Sequence, residues 1–152
     1  MSQSAASIYQ LKITLKGSKP PIWRRVQVPS DITLATLHEI MQIVMGWTDS
    51  HLHQFKSGNM YYGLPDRDET GDLAKVEDEA AVTVSRVLRR PQAKLLYEYD
   101  FGDNWQHDIV LEQILQSEPG RHYPVAWRAN ALAHQKTAAV SGGMVGSWKR
   151  FR

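Results

Sequence analysis

The chain contains no cysteine. That excludes a disulfide framework and any thiolate metal site. No stretch approaches eighteen consecutive apolar residues, so none has the length of a membrane-crossing helix. Met1 to Ser7 lacks the basic-then-apolar pattern of a secretory signal, and a soluble, cytoplasmic protein with no membrane partner is expected. The sequence has no P-loop, no GxGxxG following a strand, no GxSxG and no HExxH, which removes the commonest nucleotide-binding, serine-hydrolase and zinc-protease signatures. Acidic residues are absent from the last part: Ala126 to Arg152 carries five Lys or Arg and no Asp or Glu. Met1 to Val125 then holds 13 basic against 16 acidic residues, so its bulk charge does not point to nucleic acid.

What is present begins with the aromatic stretch from Tyr97 to His107. Leu95, Tyr97, Tyr99 and Phe101 alternate with Leu96, Glu98 and Asp100, the period-two pattern of a strand with one buried face. Gly102-Asp103-Asn104 supplies residue types that tolerate the positive φ of a tight reversal. Trp105, His107, Ile109 and Leu111 then line one face of a second strand, and the pair reads as an antiparallel β-hairpin. Ile8 to Leu15 and Ile22 to Val28 alternate in the same way. Thr33 is the expected N-cap of a helix whose apolar stripe is Leu34, Leu37, Ile40, Met41, Val44 and Met45, with Gly46 at its C-terminal cap. His38 lies one position off that stripe and is expected at its boundary.

Strands are further expected over His51 to Ser57 and Met60 to Tyr62, joined by Gly58-Asn59. Gly63 to Ala80 reads as a long solvated acidic loop. Val82-Thr83-Val84 fits a short strand, or the lead into a helical turn over Ser85 to Leu88. At 152 residues and 42% hydrophobic content the chain suits one domain with a proper core.

The chemistry-bearing candidates are few. His51 and His53, two apart on a strand, would share a face, with His107 and Asp100 or Asp103 as a third ligand to a metal. His-x-His also recurs on half-exposed strands without a metal, so no cofactor or metal is expected. Asp100, Asp103 and His107 are the candidate catalytic groups for acid and base work. Turn aspartates and a buried neutral histidine are equally what a hairpin of this kind needs. Side chains suited to binding are Arg24, Trp47, His51, His53, Tyr99 and Trp105. Arg24 shares a face with aliphatics, where its stem packs and its guanidinium snorkels or pairs with a carboxylate such as Asp100. Arg89 and Arg90, with Arg86 and Lys94, make the main body's basic cluster, which reads first as a solvated loop and otherwise as a patch for phosphate contacts.

Tyr9-x-Leu11-x-Ile13-x-Leu15, Pro21-x-Trp23-Arg24-Arg25, Leu37-His38, Gly46-Trp47, His51-Leu52-His53-x-Phe55 and Tyr99-Asp100-Phe101-Gly102-Asp103-x-Trp105-x-His107 occur in that order. Together they resemble the plasmid pRiA4b ORF-3-like family, over about residues 8–125. The resemblance implies an α+β fold: a roll of curved, largely antiparallel sheet with one main helix, about residues 34–45, packed across it. It implies a link to plasmids and mobile elements, and it brings no established activity. Residues 1–7 are expected to be a flexible N-terminus.

The departure comes after Tyr123-Pro124, where the family resemblance implies a segment like CLAGKRACPPEDCGG. Ala126 to Val140 can be back-translated so that the same DNA, read one base earlier, encodes that peptide. Residues 126–152 are therefore read as an aberrant basic tail produced by loss of one base near codon 125 or 126. Coding DNA from the source genome, sequenced across codons 120 to 152, is expected to lack a single base there. An intact frame would instead make the tail a genuine basic segment for nucleic acid or an acidic partner.

The functional expectation is a small non-catalytic binding or interaction module, with nucleic acid or protein as its partner. One alternative is an enzyme acting on a nucleic-acid or phosphate-containing substrate through His107, Asp100 and Asp103, with or without a metal. Another is an inactive truncated relic, self-associating through surface that the altered C-terminus leaves uncovered.

Overall fold

A computed structural model of the chain describes residues 7–64 and 76–128, the last two as backbone only. The basic tail beyond Arg128 and the acidic stretch 65–75 lie outside the described residues. Among the described residues, eight strands form a single sheet in the order β5-β4-β3-β6-β7-β1-β2-β8. They are β1 Ile8–Leu15, β2 Ile22–Pro29, β3 His53–Ser57, β4 Met60–Gly63, β5 Val76–Asp78, β6 Lys94–Tyr99, β7 Trp105–Leu115 and β8 Val125–Arg128. Only the β4–β5 pair is parallel. The architecture is α+β, a largely antiparallel sheet with one main helix.

That helix, α1, runs over Leu34–Met45. Thr33 Oγ1 accepts the Thr36 N–H at 3.2 Å, satisfying a backbone donor that the first turn leaves unpaired. At the other end Gly46 adopts φ 80°, a left-handed conformation that glycine enters without a Cβ penalty. Arg24 reinforces this end: its Nε donates to the Val44 carbonyl at 3.0 Å, placing positive charge at the helix C-terminus. The guanidinium expected to snorkel or to meet a carboxylate thus caps a helix.

One core joins helix and sheet. Leu34, Leu37, Ile40, Met41 and Val44 pack with Tyr9, Leu11, Ile13, Val26, Tyr97, Ile109 and Leu111 from the central strands. Stripe and alternation had assigned these residues to buried faces, and burial of apolar surface at this scale is the main stabilising term. On the opposite face polar side chains bond across strands. Arg25 grips Glu112 at 2.8 and 3.1 Å, and Gln10 donates to the same carboxylate at 2.9 Å. Glu98 accepts from Gln54 and Gln106 at 2.7 and 2.8 Å.

Three local expectations are corrected. Phe101 does not continue the buried face of β6; it is exposed in the turn. The positive φ angles of that turn fall on Asp100, at 67°, and Asn104, at 58°, so the reversal starts two residues before Gly102. The acidic stretch is also not solvated throughout. Beyond residue 75 it forms β5 and then a 3-10 turn, Glu79–Ala81, in which Glu79 is buried. The next segment enters a short helix, α2 (Val84–Val87), and docks on the start of α1. The Leu34 N–H reaches the Val82 carbonyl and the Val84 N–H the Ile32 carbonyl, each at 2.9 Å. That docking carries Glu79 to the sheet.

Candidate functional site

The site grows from α1. His38 and Gln42 are one helical turn apart, so both face the sheet, and both are buried. Tyr97, at the centre of β6, meets them: its hydroxyl accepts from Gln42 Nε2 at 2.8 Å and lies 2.7 Å from His38 Nδ1. The loop after α1 then turns back over the same amide. Asp49 takes φ 58°, and its N–H donates to Gln42 Oε1 at 2.6 Å. Its carboxylate sits 3.0 Å from His38 Nε2.

A carboxylate only accepts, so His38 Nε2 carries the proton and Nδ1 accepts from the Tyr97 hydroxyl. Gln42, Tyr97, His38 and Asp49 form one directed chain of hydrogen bonds.

His53, the first residue of β3, lies against this chain. Its ring stacks on that of His38 with centroids 3.5 Å apart and planes 8° from parallel. Its Nε2 is 2.7 Å from Glu79 Oε1, both side chains being buried. Two imidazolium charges at that separation would repel by about 5 kcal/mol even at an effective dielectric constant near 20. Burial, and then the neighbouring His53, push His38 below its ordinary pKa, while Asp49 works in the other direction.

Above these rings opens a cleft of about 670 Å³. Its lining includes three imidazoles (His38, His51, His53) and three carboxylates (Asp49, Glu79, Asp100), and no Lys or Arg among the described residues. Leu52, Leu64 and Phe101 line it as exposed apolar side chains. The volume is that of a small-ligand site.

The structure separates the other candidates. His51 precedes β3, is half-exposed, and lies 3.6 Å from Asp100 Oδ2, so it does not share the burial of His53. Asp100 Oδ1 also accepts the N–H groups of Gly102 and Asp103, at 3.1 and 3.3 Å. His107 is fully buried and outside the cleft lining. Its Nδ1 donates to the Tyr97 carbonyl and its Nε2 accepts from Trp47 Nε1, each at 3.2 Å, which fixes it as a neutral ring. Burial holds its pKa down at about 4.

Trp47 packs between Tyr99 and Trp105, at 5.3 and 5.4 Å between centroids, and the Tyr99 hydroxyl accepts the Ser50 N–H at 2.7 Å. These aromatics pin the loop that bears Asp49. Arg89 and Arg90 line a second cleft of about 480 Å³ with Val87 and Ala93.

Gln42, Asp49 and Glu79 do not stand out in the sequence, Tyr97 stands out only as part of a buried strand face, and His38, expected at the helix boundary, is instead buried against the sheet. The one usable signal was a histidine and a glutamine four apart inside an apolar stripe, a pairing that puts two polar groups on the buried face.

The pattern of the plasmid pRiA4b ORF-3-like protein family matches residues 7–143. The chain belongs to this family. A family relative, the uncharacterised protein y4hQ of Sinorhizobium fredii (strain NBRC 101917 / NGR234), is 42% identical over 108 residues. Those residues are 71% of this chain and 55% of the relative, so the chain spans little more than half the relative's length. The fold recurs in the crystal structure of MM3350, a protein of unknown function from Methanosarcina mazei Go1. There the TM-score is 0.70 at 34% identity, covering 98% of this chain and 80% of that one. Neither relative carries an assigned activity, so a function for this member of the family has to be argued from its own site.

Proposed function

We propose that the domain is a non-catalytic binding module whose cleft above His38 and His53 takes a cationic ligand. The observation that carries this is the lining: three carboxylates and three imidazoles converge with no Lys or Arg among the described residues. Such a concave surface attracts positive charge and repels phosphate. The exposed apolar residues give a ligand hydrophobic contact. A catalytic reading through Asp100, Asp103 and His107 finds less support, because His107 has both ring nitrogens committed elsewhere.

The test is titration of the full chain with spermidine, followed by calorimetry. Asp49→Asn with Asp100→Asn removes two charges and keeps the oxygens that make the turn bonds. We expect binding about tenfold weaker in the double variant, equivalent to about 1.4 kcal/mol. Equal affinity in the variant, or preferential binding of inorganic phosphate in this cleft, would contradict the reading.

A second reading concerns a different surface. Arg89 and Arg90 are exposed in the second cleft, where an anionic partner such as nucleic acid would sit. It is independent of the first.

A further inference from the structure

We infer that His38, His53 and Asp49, with Glu79 held against His53, form a binding site for a divalent transition-metal ion of the zinc class. This rests on the cationic reading of the cleft and names the ligand that its floor would hold.

One ring nitrogen from each histidine and one carboxylate oxygen of Asp49 lie within 4.8 Å of one another. Bonds of about 2.0–2.1 Å in a tetrahedral site place donors about 3.3 Å apart, so the triangle must close by roughly 1.5 Å. The means of closing it is Asp49. Its side chain is 62% exposed on a loop, whereas His38, His53 and Glu79 are each below a tenth exposed. Asp49 swings in over the buried histidine pair, and His38 and His53 tilt out of their 3.5 Å stack so that their in-plane lone pairs converge.

The donor types select the ion. Imidazole nitrogen with carboxylate oxygen suits zinc, cobalt, nickel or iron(II), whereas magnesium and calcium favour oxygen donors.

The outer contacts match as well. A metal-bound histidine donates its second ring N–H to a fixed acceptor, and His38 Nδ1 already faces the Tyr97 oxygen at 2.7 Å. On loading, the proton leaves His38 Nε2 as the ion binds and one is taken up at Nδ1, so the ring stays neutral; Nδ1–H then donates to the Tyr97 oxygen, whose own O–H rotates away from the ring. Gln42 holds that tyrosine through its amide nitrogen and the Asp49 backbone through its amide oxygen. One side chain therefore positions both an acceptor behind one ligand and the main chain of another. The protein gains little stability from this cluster: burying two imidazoles and a carboxylate costs more than burying apolar side chains of the same volume. Their opening onto the cleft is what a ligand needs.

The experiment uses the untagged full chain, stripped with chelator and dialysed, then titrated with cobalt(II) while its visible absorption is recorded, with zinc added as competitor. One ion per chain is expected, with the strong visible bands of a low-coordinate cobalt site. His53→Ala should weaken binding at least 100-fold, and Tyr97→Phe 10- to 100-fold through the outer contact. Asp49→Asn, a surface change that leaves the core intact, should weaken it about tenfold, and His122→Ala, exposed and outside the cleft, should leave it unchanged.

Absence of stoichiometric cobalt binding overturns the inference, as does affinity that is the same in His53→Ala and Asp49→Asn as in the parent. If metals fail while spermidine still binds in a manner dependent on Asp49 and Asp100, the metal site falls and the cationic reading stands. If neither binds, both fall.

Discussion

Acidification from pH 6.5 to pH 4 is expected to remove about 3 kcal/mol of folding stability through His107 alone. The ring is buried and neutral, with Trp47 donating to one nitrogen and the Tyr97 carbonyl accepting from the other. A proton added to Nε2 breaks the first bond and places charge in the core. In the unfolded chain the same ring titrates near its ordinary 6.5, against about 4 when folded. The unfolded state therefore binds more protons between these values. Stability is full above pH 6.5 and falls as pH drops towards 4, by about 1.4 kcal/mol per unit.

His38, also held low, acts in the same direction. Glu112 does so only below its ordinary 4.5, since its bonds to Arg25 and Gln10 outweigh the upward push of burial. Urea midpoints measured from pH 4.5 to 7.5 isolate the histidines. His107→Asn keeps a donor for Tyr97 and cannot titrate, so its plateau should be lower but its acid slope much flatter. An unchanged slope would contradict the assignment.

Tyr97→Phe is expected to cost about 2–4 kcal/mol although it removes one oxygen and leaves almost no cavity. That oxygen is the junction between Gln42 and His38. Without it a buried amide donor and a buried ring nitrogen both lose a partner, and each such loss costs about 1–3 kcal/mol. Burial also keeps the hydroxyl protonated far into the alkaline range. Tyr9→Phe supplies the comparison: the same atom is lost, but among the described residues its hydroxyl bonds the Leu88 carbonyl alone, at 2.8 Å. A smaller cost, about 1 kcal/mol, is expected there. Equal denaturant midpoints for the two variants would show that the junction has no special weight.

The difference between fold and site in what the sequence revealed has a physical basis. β1, β2, α1 and the β6–β7 hairpin announce themselves because alternation, helical spacing and the caps Thr33 and Gly46 are local properties of the chain. The reversal begins two residues before the expected Gly102-Asp103-Asn104 because Asp100, and not Gly102, joins Asn104 in carrying a positive φ. Glycine permits that conformation without requiring it.

The cluster was harder to see because its members come from α1, the following loop, β3, the 3-10 turn and β6. In sequence Glu79 reads as solvated, among Glu77, Asp78 and the acids before them. Its burial follows from the docking of Val82 and Val84 on Ile32 and Leu34, a contact between distant parts of the chain. In the sequence His53 stands out beside His51, yet its partners are His38 and Glu79. Strand periodicity describes which face a residue takes and carries nothing about what lies across it.

The central claim, a cleft built for positive charge over a stacked histidine pair, is tested most directly by nitrogen-15 NMR of the histidine rings in the full chain. Zinc(II), spermidine, inorganic phosphate and a short oligonucleotide would be added separately. The ring signals of His38 and His53 are expected to move with the cations, most strongly with zinc, and to stay in place with phosphate and oligonucleotide. Movement with the anions, or none with saturating cations, would contradict the account.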